Sequence, residues 1–414
     1  MFKLNIHNTY FTLILLLLIS ISVFELHYIL FLITCIVYYD KVSKKIMDII
    51  SYLLLIVVIA IISSFFNKFE IYDWVKDFAY FSKPILAILA GYLLAKSINN
   101  FKVFLKCILI VSLVFSVIHI LEVFIFVNLT TANVSEIRYV GGISNEIEIF
   151  SLMLLVASKK YDEIRIINNK FLKRIILIIL SISVILYFSR SMTVSFVIFL
   201  LSINGYLKIT RKGIKYGSMV LFLFGIFYVY LFNADIKRGQ TGIESFLYKM
   251  KNAPAEIFSP AKEIDTKNHA KLWDRWRAYE AGMAISQVNT SYSVAVGKGL
   301  GSLVDLKFYA PLGDKNMRYI PHLHNGYVTI YYKSGIIGII LYLLFILYLY
   351  LFSYFKTKNN QKKIILNLIG GLAIHYLFTT LIVTGIYNIS ETYSLILGML
   401  LYYRNSSEEN AVEK

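Results

Sequence analysis

The feature that most constrains this chain is its succession of apolar runs. They fall at roughly 10–26, 27–39, 47–66, 78–95, 103–126, 146–158, 175–189, 192–207, 217–233, 335–355, 364–385 and 388–403. One helical crossing of a bilayer needs about 20 apolar residues, and several runs approach or exceed that length; 27–39 and 146–158 are shorter. With 58% of residues hydrophobic and 16% charged, the chain is too apolar for a soluble domain. The pattern predicts an all-α polytopic integral membrane protein with about 12 transmembrane helices. The first run is followed at once by others and lacks a small-residue cleavage site, so no cleavable signal peptide is expected.

The formal net charge of +17 does not point to nucleic acid, because no basic stripe interleaved with exposed aromatics accompanies it. The basic residues sit mostly in short turns between apolar runs, where they act as topology determinants. One set of turns carries Lys41, Lys44 and Lys45, then Lys96 and Lys102, Lys159 through Arg174, Lys208 through Lys215, and Lys356 through Lys363. The alternate turns carry only Lys68, Lys76, Arg138 and Arg190. The richer set is expected in the cytoplasm together with both termini, which agrees with an even number of spans. Cys35 and Cys107 lie inside apolar runs, which argues against a disulfide or a thiolate metal site.

This orientation leaves one long polar segment outside the cytoplasm. The expected organisation is membrane helices over 1–233 (about nine), a large extracytoplasmic loop over 234–323, membrane helices over 324–403 (about three), and a cytoplasmic tail over 404–414. The loop holds four of the five prolines, Pro254, Pro260, Pro311 and Pro321, and a loop of this length is usually functional. Within it, Ala270–Gln287 reads as an amphipathic helix with Leu272, Trp276, Tyr279 and Met283 along one side, suited to lying on the membrane surface.

Three places carry candidate chemistry. His322 and His324 end the loop just before an apolar run, and imidazole is the commonest general acid or base near neutral pH. A lone interfacial histidine would read as a polar anchor. Two, with Asn325, Gly326, Gly335 and Gly338 around them, favour function. A metal held by the His-x-His pair is less well supported, with Asp314 as the best third ligand. Arg190 sits in a tight turn on the side where the charge rule disfavours it; lipid-phosphate snorkelling and anion binding weigh about evenly there. Arg275 and Tyr279 are four apart and share a helix face, while Arg277 points elsewhere; taken alone, these arginines read as solvated. The glycine-rich Gly297–Ser302 stretch lacks the strand-to-helix setting of a nucleotide fingerprint and reads as a turn.

Topology brings Arg190, Arg275, Arg277, His322 and His324 to one side of the membrane from three separate segments. Guanidinium groups bind phosphate oxygens in bidentate fashion, and a nearby histidine can take a proton from an attacking hydroxyl. No ATP or nucleotide sugar is found outside the cytoplasm, so a phosphate-bearing donor there would be lipid-linked.

These residues resemble the O-antigen ligase/polymerase superfamily of bacterial envelope glycosyltransferases. His324-Asn325, nine residues, Gly335, two residues and Gly338 looks like that family's signature. Arg190-Ser191-Met192-Thr193-Val194 is similar to its arginine turn, where ligases often have Leu in place of Val194, and Arg275 through Gly282 resembles its large-loop helix. The likeness in architecture spans the whole chain. It implies a GT-C-like, metal-independent, inverting glycosyltransferase without a cofactor, whose donor is a glycan on undecaprenyl pyrophosphate. The enzyme would be multi-pass in the bacterial inner membrane, with both termini cytoplasmic and the active site periplasmic. The resemblance makes His324 catalytic and Arg190 and Arg275 the pyrophosphate ligands, with Arg277, His322, Asn325 and Tyr279 as further substrate-binding candidates. Besides the bilayer and the lipid-linked glycan, a chain-length regulator and a flippase are the partners it suggests; nucleic acid is not one.

Members of the family join repeat units, transfer the finished chain to lipid A–core, or glycosylate pilin-like proteins. The run from His324 to Gly338, preceded by Gly299-Leu300-Gly301-Ser302, looks more like the polymerases. The expected function is polymerisation of repeat units of O-antigen, capsule or exopolysaccharide, with O-antigen ligase as the alternative. A lipid-linked sugar transporter is more remote, because it would show inverted repeats and ionisable groups near the midplane.

Overall fold

The computed structural model describes residues 6–21, 23–128, 131–132, 134–141, 145–312, 315–388 and 392–412. The chain opens with a pair of 14-residue helices, α1 (Ile6–Ile19) and α2 (Phe24–Val37), each only about 21 Å long at 1.5 Å per residue. Then come α3 (Lys44–Ser64), α4 (Ile71–Ile98), α5 (Phe101–Phe126), the short α6 (Val134–Gly141), α7 (Asn145–Ala157), α8 (Lys170–Leu186), α9 (Arg190–Ile203) and α10 (Arg211–Asn233). The polar loop folds into α11 (Gly242–Phe258), α12 (His269–Asp274), α13 (Trp276–Gln287), α14 (Ser291–Val296) and a hairpin of β1 (Val304–Leu312) and β2 (Lys315–Ile320). The chain finishes with α15 (Gly326–Leu351), α16 (Asn360–Ile382) and α17 (Thr392–Val412).

Each of the twelve apolar runs overlaps a helix. Six helices among the described residues are long and apolar enough to cross a membrane: α3, α4, α5, α10, α15 with its short 3-10 extension, and α16. The turns between runs supply the caps. Asn100, Thr210 and Asn359 each accept a hydrogen bond from a backbone N–H in the first turn of the helix that follows, satisfying donors the helix cannot pair internally. The last helix runs on to Val412, into the stretch expected as a polar tail. At the centre of the bundle α4 and α17 approach closely because Gly91 and Gly398 face the partner's backbone, where a Cβ would meet Leu395 and Ile88 respectively. Small residues at crossings are the usual means of close helix packing in membranes.

The polar loop is bracketed onto the bundle. Lys298 N–H donates to the Tyr332 carbonyl at 2.7 Å, Gly299 N–H to that of Lys333 at 3.0 Å, and Ser63 Oγ on α3 to that of Gly297 at 2.7 Å. The glycine-rich turn therefore binds α3 to α15. Directly across from it, α15 kinks at Gly335 (φ +67°), where a side chain would strike the Ala295 backbone. The kink accounts for a glycine at that position of the signature. Beneath it Lys333 Nζ bonds Asp77 Oδ2 and the Ser302 carbonyl, and both charged side chains are 0% exposed. Removing one partner of a buried pair strands the other charge, so Lys333→Met is expected to cost about 3–5 kcal/mol. Thermal unfolding in detergent should show this, with part of the loss recovered in Asp77→Asn/Lys333→Met. A double variant no more stable than the single would contradict it.

The amphipathic stretch departs from expectation in two ways. The helix breaks at Arg275 (φ −126°, ψ 19°) into α12 and α13, and its apolar side is covered by protein. Leu272, Trp276 and Tyr279 pack with Val304, Leu306 and Ala310 of β1 into a separate small core. The strand signal lay in Val304-Asp305-Leu306-Lys307-Phe308, whose alternation sends Val304 and Leu306 inward. The all-α reading thus gains one antiparallel hairpin, with Val304 opposite Ile320 and Leu312 opposite Lys315.

Candidate active site

His324 stands at the end of the loop, immediately before Asn325, the N-cap of α15. The ring is held from one side: Nδ1 lies 3.1 Å from each carboxylate oxygen of Glu280 on α13, and the His324 backbone N–H donates to the same carboxylate. Glu280 is 1% exposed and the His324 side chain 53%. A carboxylate accepts, so Nδ1 carries the hydrogen and Nε2 is the ring nitrogen left to take a proton.

The arginines build the neighbouring cavity. Phe188 adopts a positive φ of 45° just before α9, and Arg138 on α6 clasps this turn, with Nε 2.9 Å from the Tyr187 carbonyl and Nη2 on that of Phe188. Arg190, the first residue of α9, donates from Nη1 to the Lys249 carbonyl at 2.6 Å and from Nη2 to Glu256 at 2.8 Å. Arg277 Nε lies 3.3 Å from the other Glu256 oxygen. Arg138, Arg190, Arg277 and Glu256 line a cavity of about 310 Å³ that is otherwise largely apolar, with Val194, Phe224, Phe258 and Leu381 among its walls. Lys249 feels the charges of Arg138, Arg190 and Glu256, so four cations (Arg138, Arg190, Arg277, Lys249) surround one carboxylate. Burial, reinforced by Arg190 and Arg277, brings Arg138 down to about 10; burial and neighbouring cations also hold Arg277 and Lys249 below their ordinary values. An added anion would relieve this repulsion.

The two halves are joined. Arg277 and Glu280 stand three apart on α13 and interact electrostatically, so charge alternates from Arg190 through Glu256, Arg277 and Glu280 to His324. A second cavity, of about 420 Å³, is lined by His324 and His322 with Glu25, Lys76, Tyr80 and Asn388, and Val383 lines both cavities.

The other sequence candidates fall in different places. Arg275 is absent from the lining of the arginine cavity; the helix break falls on it, and Arg277 two residues on is the one that meets Glu256. Tyr279 is buried and donates from its hydroxyl to the Leu306 carbonyl at 2.7 Å, so it fastens α13 to the hairpin. Asn325 caps α15, its Oδ1 accepting from Val328 N–H at 3.1 Å. His322 stacks on Tyr80 with ring centroids 3.8 Å apart. Its Nε2 is 3.0 Å from Asp77 Oδ1, and burial pushes its pKa down against the pull of that carboxylate. Asp314 lies outside the described residues, among which no group of three or more His, Cys, Asp or Glu side chains is placed to hold a metal ion.

Sequence reasoning assigns no role to Glu280 or Glu256, and offers Arg138 only as one of several outer-boundary residues within reach of sugar hydroxyls. Arg138 carried the same signal as Arg190, a basic residue on the side the charge rule disfavours. Glu280 lies within the Arg275–Gly282 stretch at helical spacing from Arg277. Glu256 had no readable signal, because its partners lie on other segments.

Residues 175–343 match the family model described as O-antigen ligase, which suggests a membrane enzyme of O-antigen or related polysaccharide processing. No curated protein matches the chain.

Proposed function

From the premise that residues 175–343 carry an O-antigen ligase family domain, we propose that the chain polymerises repeat units linked to undecaprenyl pyrophosphate on the outer face of the bacterial inner membrane. The observation that carries this reading is the meeting, at Val383, of a carboxylate-held histidine and a cation-rich, apolar-walled cavity. The donor's pyrophosphate takes the place of Glu256 between Arg190 and Arg277, and its polyprenyl tail leaves along Phe224 and Phe258. His324 Nε2 accepts the proton of an acceptor hydroxyl, whose oxygen forms a bond to the anomeric carbon. The bond from that carbon to the phosphate oxygen breaks, and its electron pair leaves with undecaprenyl pyrophosphate, stabilised by the arginines. Attack from the face opposite the leaving group inverts the anomeric centre, and no step calls for a metal.

Glu280 acts through His324. Glu280→Gln is expected to lower kcat about tenfold or more, a fraction of a general base's contribution, with KM for the lipid-linked donor little changed. An unaltered kcat would remove Glu280 from the mechanism. The reading as a whole is tested by the glycans of a deletion strain, which should accumulate single lipid-linked units on the outer face and carry one repeat unit on lipid A–core. Long chains left on the carrier lipid beside bare core would assign the ligase activity instead.

A further inference from the structure

We infer that the cavity on the far side of His324 is the acceptor-sugar subsite, and that the residues selecting the acceptor come from outside the family-matched segment. The inference rests on the proposed glycosyl transfer and adds to it where the second sugar sits.

Like the arginine cavity this one has mainly apolar walls, but its polar groups are mixed in kind where those of the other are mostly cationic. Its floor is aromatic: Phe24 on α2 stacks toward Tyr80 on α4, with centroids 6.4 Å apart, and Tyr80 in turn toward Tyr387, at 5.7 Å. Around this floor stand a carboxylate (Glu25), an ammonium (Lys76), a hydroxyl (Thr384) and a carboxamide (Asn388). Glu25 and Lys76 are exposed, and Thr384 and Asn388 are half-buried. A pyranose presents C–H faces to aromatic surface, here the half-buried Phe24 backed by the buried Tyr80 and Tyr387, and a rim of hydroxyls to such donors and acceptors. One carboxylate beside one ammonium gives no net attraction for a phosphate, in contrast to the arginine cluster. His324 lines the cavity itself, so a hydroxyl of a sugar bound there meets the base directly.

Of the lining residues only His322, Leu323 and His324 fall within 175–343. The floor and the polar rim come from α2, α4 and the segment after α16. In the arginine cavity, by contrast, Arg190, Glu256 and Arg277 lie within the matched segment, while Arg138 and the wall from Phe378 to Val383 lie outside it. The part shared with the family thus supplies most of the charged groups at the leaving group, and the remainder of the chain frames the acceptor.

The test uses the full chain in nanodiscs and two probes: undecaprenyl pyrophosphate, and the repeat-unit oligosaccharide released by mild acid from the carrier lipid of a deletion strain. Glycan binding is read by saturation-transfer NMR and carrier binding by calorimetry. Phe24→Ala and Glu25→Gln should each weaken glycan binding about tenfold or more while carrier affinity is unchanged; Arg190→Ala should do the reverse. Glu25 is exposed, so its variant folds even if the Phe24 variant does not. Glycan affinity unchanged in Glu25→Gln, or lost in Arg190→Ala, overturns the subsite while leaving the proposed transfer standing. A wild-type chain that binds neither probe overturns the proposed transfer itself.

Discussion

Replacing His324 by Ala should reduce glycan chain extension by about 10²–10⁴-fold, the range a positioned general base contributes, and in cells should abolish long chains. Its side chain is half exposed and touches the rest of the protein mainly through Glu280, so the variant should insert into the membrane and unfold at the wild-type temperature. The pairing with Glu280 sharpens the expectation. If Nε2 is the proton acceptor, His324→Gln, which retains hydrogen-bonding capacity but cannot take up a proton near neutral pH, should be as inactive as the alanine variant. Single-turnover transfer of one repeat unit onto another, measured with purified chain and lipid-linked substrate, checks this. A wild-type chain-length distribution in either variant would end the assignment of His324 as base.

The second large effect separates two arginines that stand two residues apart. Arg277 lies on Glu256 beside Arg190 and lines the cavity, whereas Arg275 marks the helix break and does not. Arg277→Ala and Arg190→Ala should each lower kcat/KM by about 10²–10³-fold, as expected when a charge-stabilising donor to the leaving group is removed. Arg275→Ala should cost under about tenfold, a loss typical of an interaction at the rim. Lys at either of the two cavity positions should restore only part of the rate, because an ammonium lacks the planar fork that engages two phosphate oxygens. Equal losses at Arg275 and Arg277 would indicate that the break between α12 and α13 closes when the donor binds. A loss at Arg275 alone would reverse the assignment.

Each apolar run falls on a helix, since burial of apolar length is encoded locally, while six helices among the described residues have the length and composition to cross a membrane and the short α6 carries no such run. The His324-Asn325 to Gly338 spacing is also local: Asn325 caps the helix, Gly335 kinks it, and His324 stands directly before it. The choice between Arg275 and Arg277 is not legible in the sequence, because it depends on a helix register that restarts at the break at Arg275. Tyr279 shares a helical face with Arg275 in the sequence, but its hydroxyl is occupied by the Leu306 carbonyl on strand β1, which lies within the expected loop. Glu256 and Glu280 illustrate the same limit. Each acquires its role from a partner between 21 and 66 residues away, and pairings of that kind are made by the tertiary fold.

The fastening of α15 has a consequence for the encounter with substrate. The helix that anchors the base in the membrane is pinned by the Lys333–Asp77 pair and by the glycine-rich bracket to α3, which fixes how far His324 can rise or sink. A polyprenyl carrier is likewise held at constant height, since its pyrophosphate floats at the lipid headgroups while its tail stays in oil. On the proposed reading, both reactants are ruled to the same horizontal plane before they touch. The search for the donor then becomes a lateral one within a sheet of fixed depth, and lengthening or shortening α15 by a turn would put the base on the wrong storey.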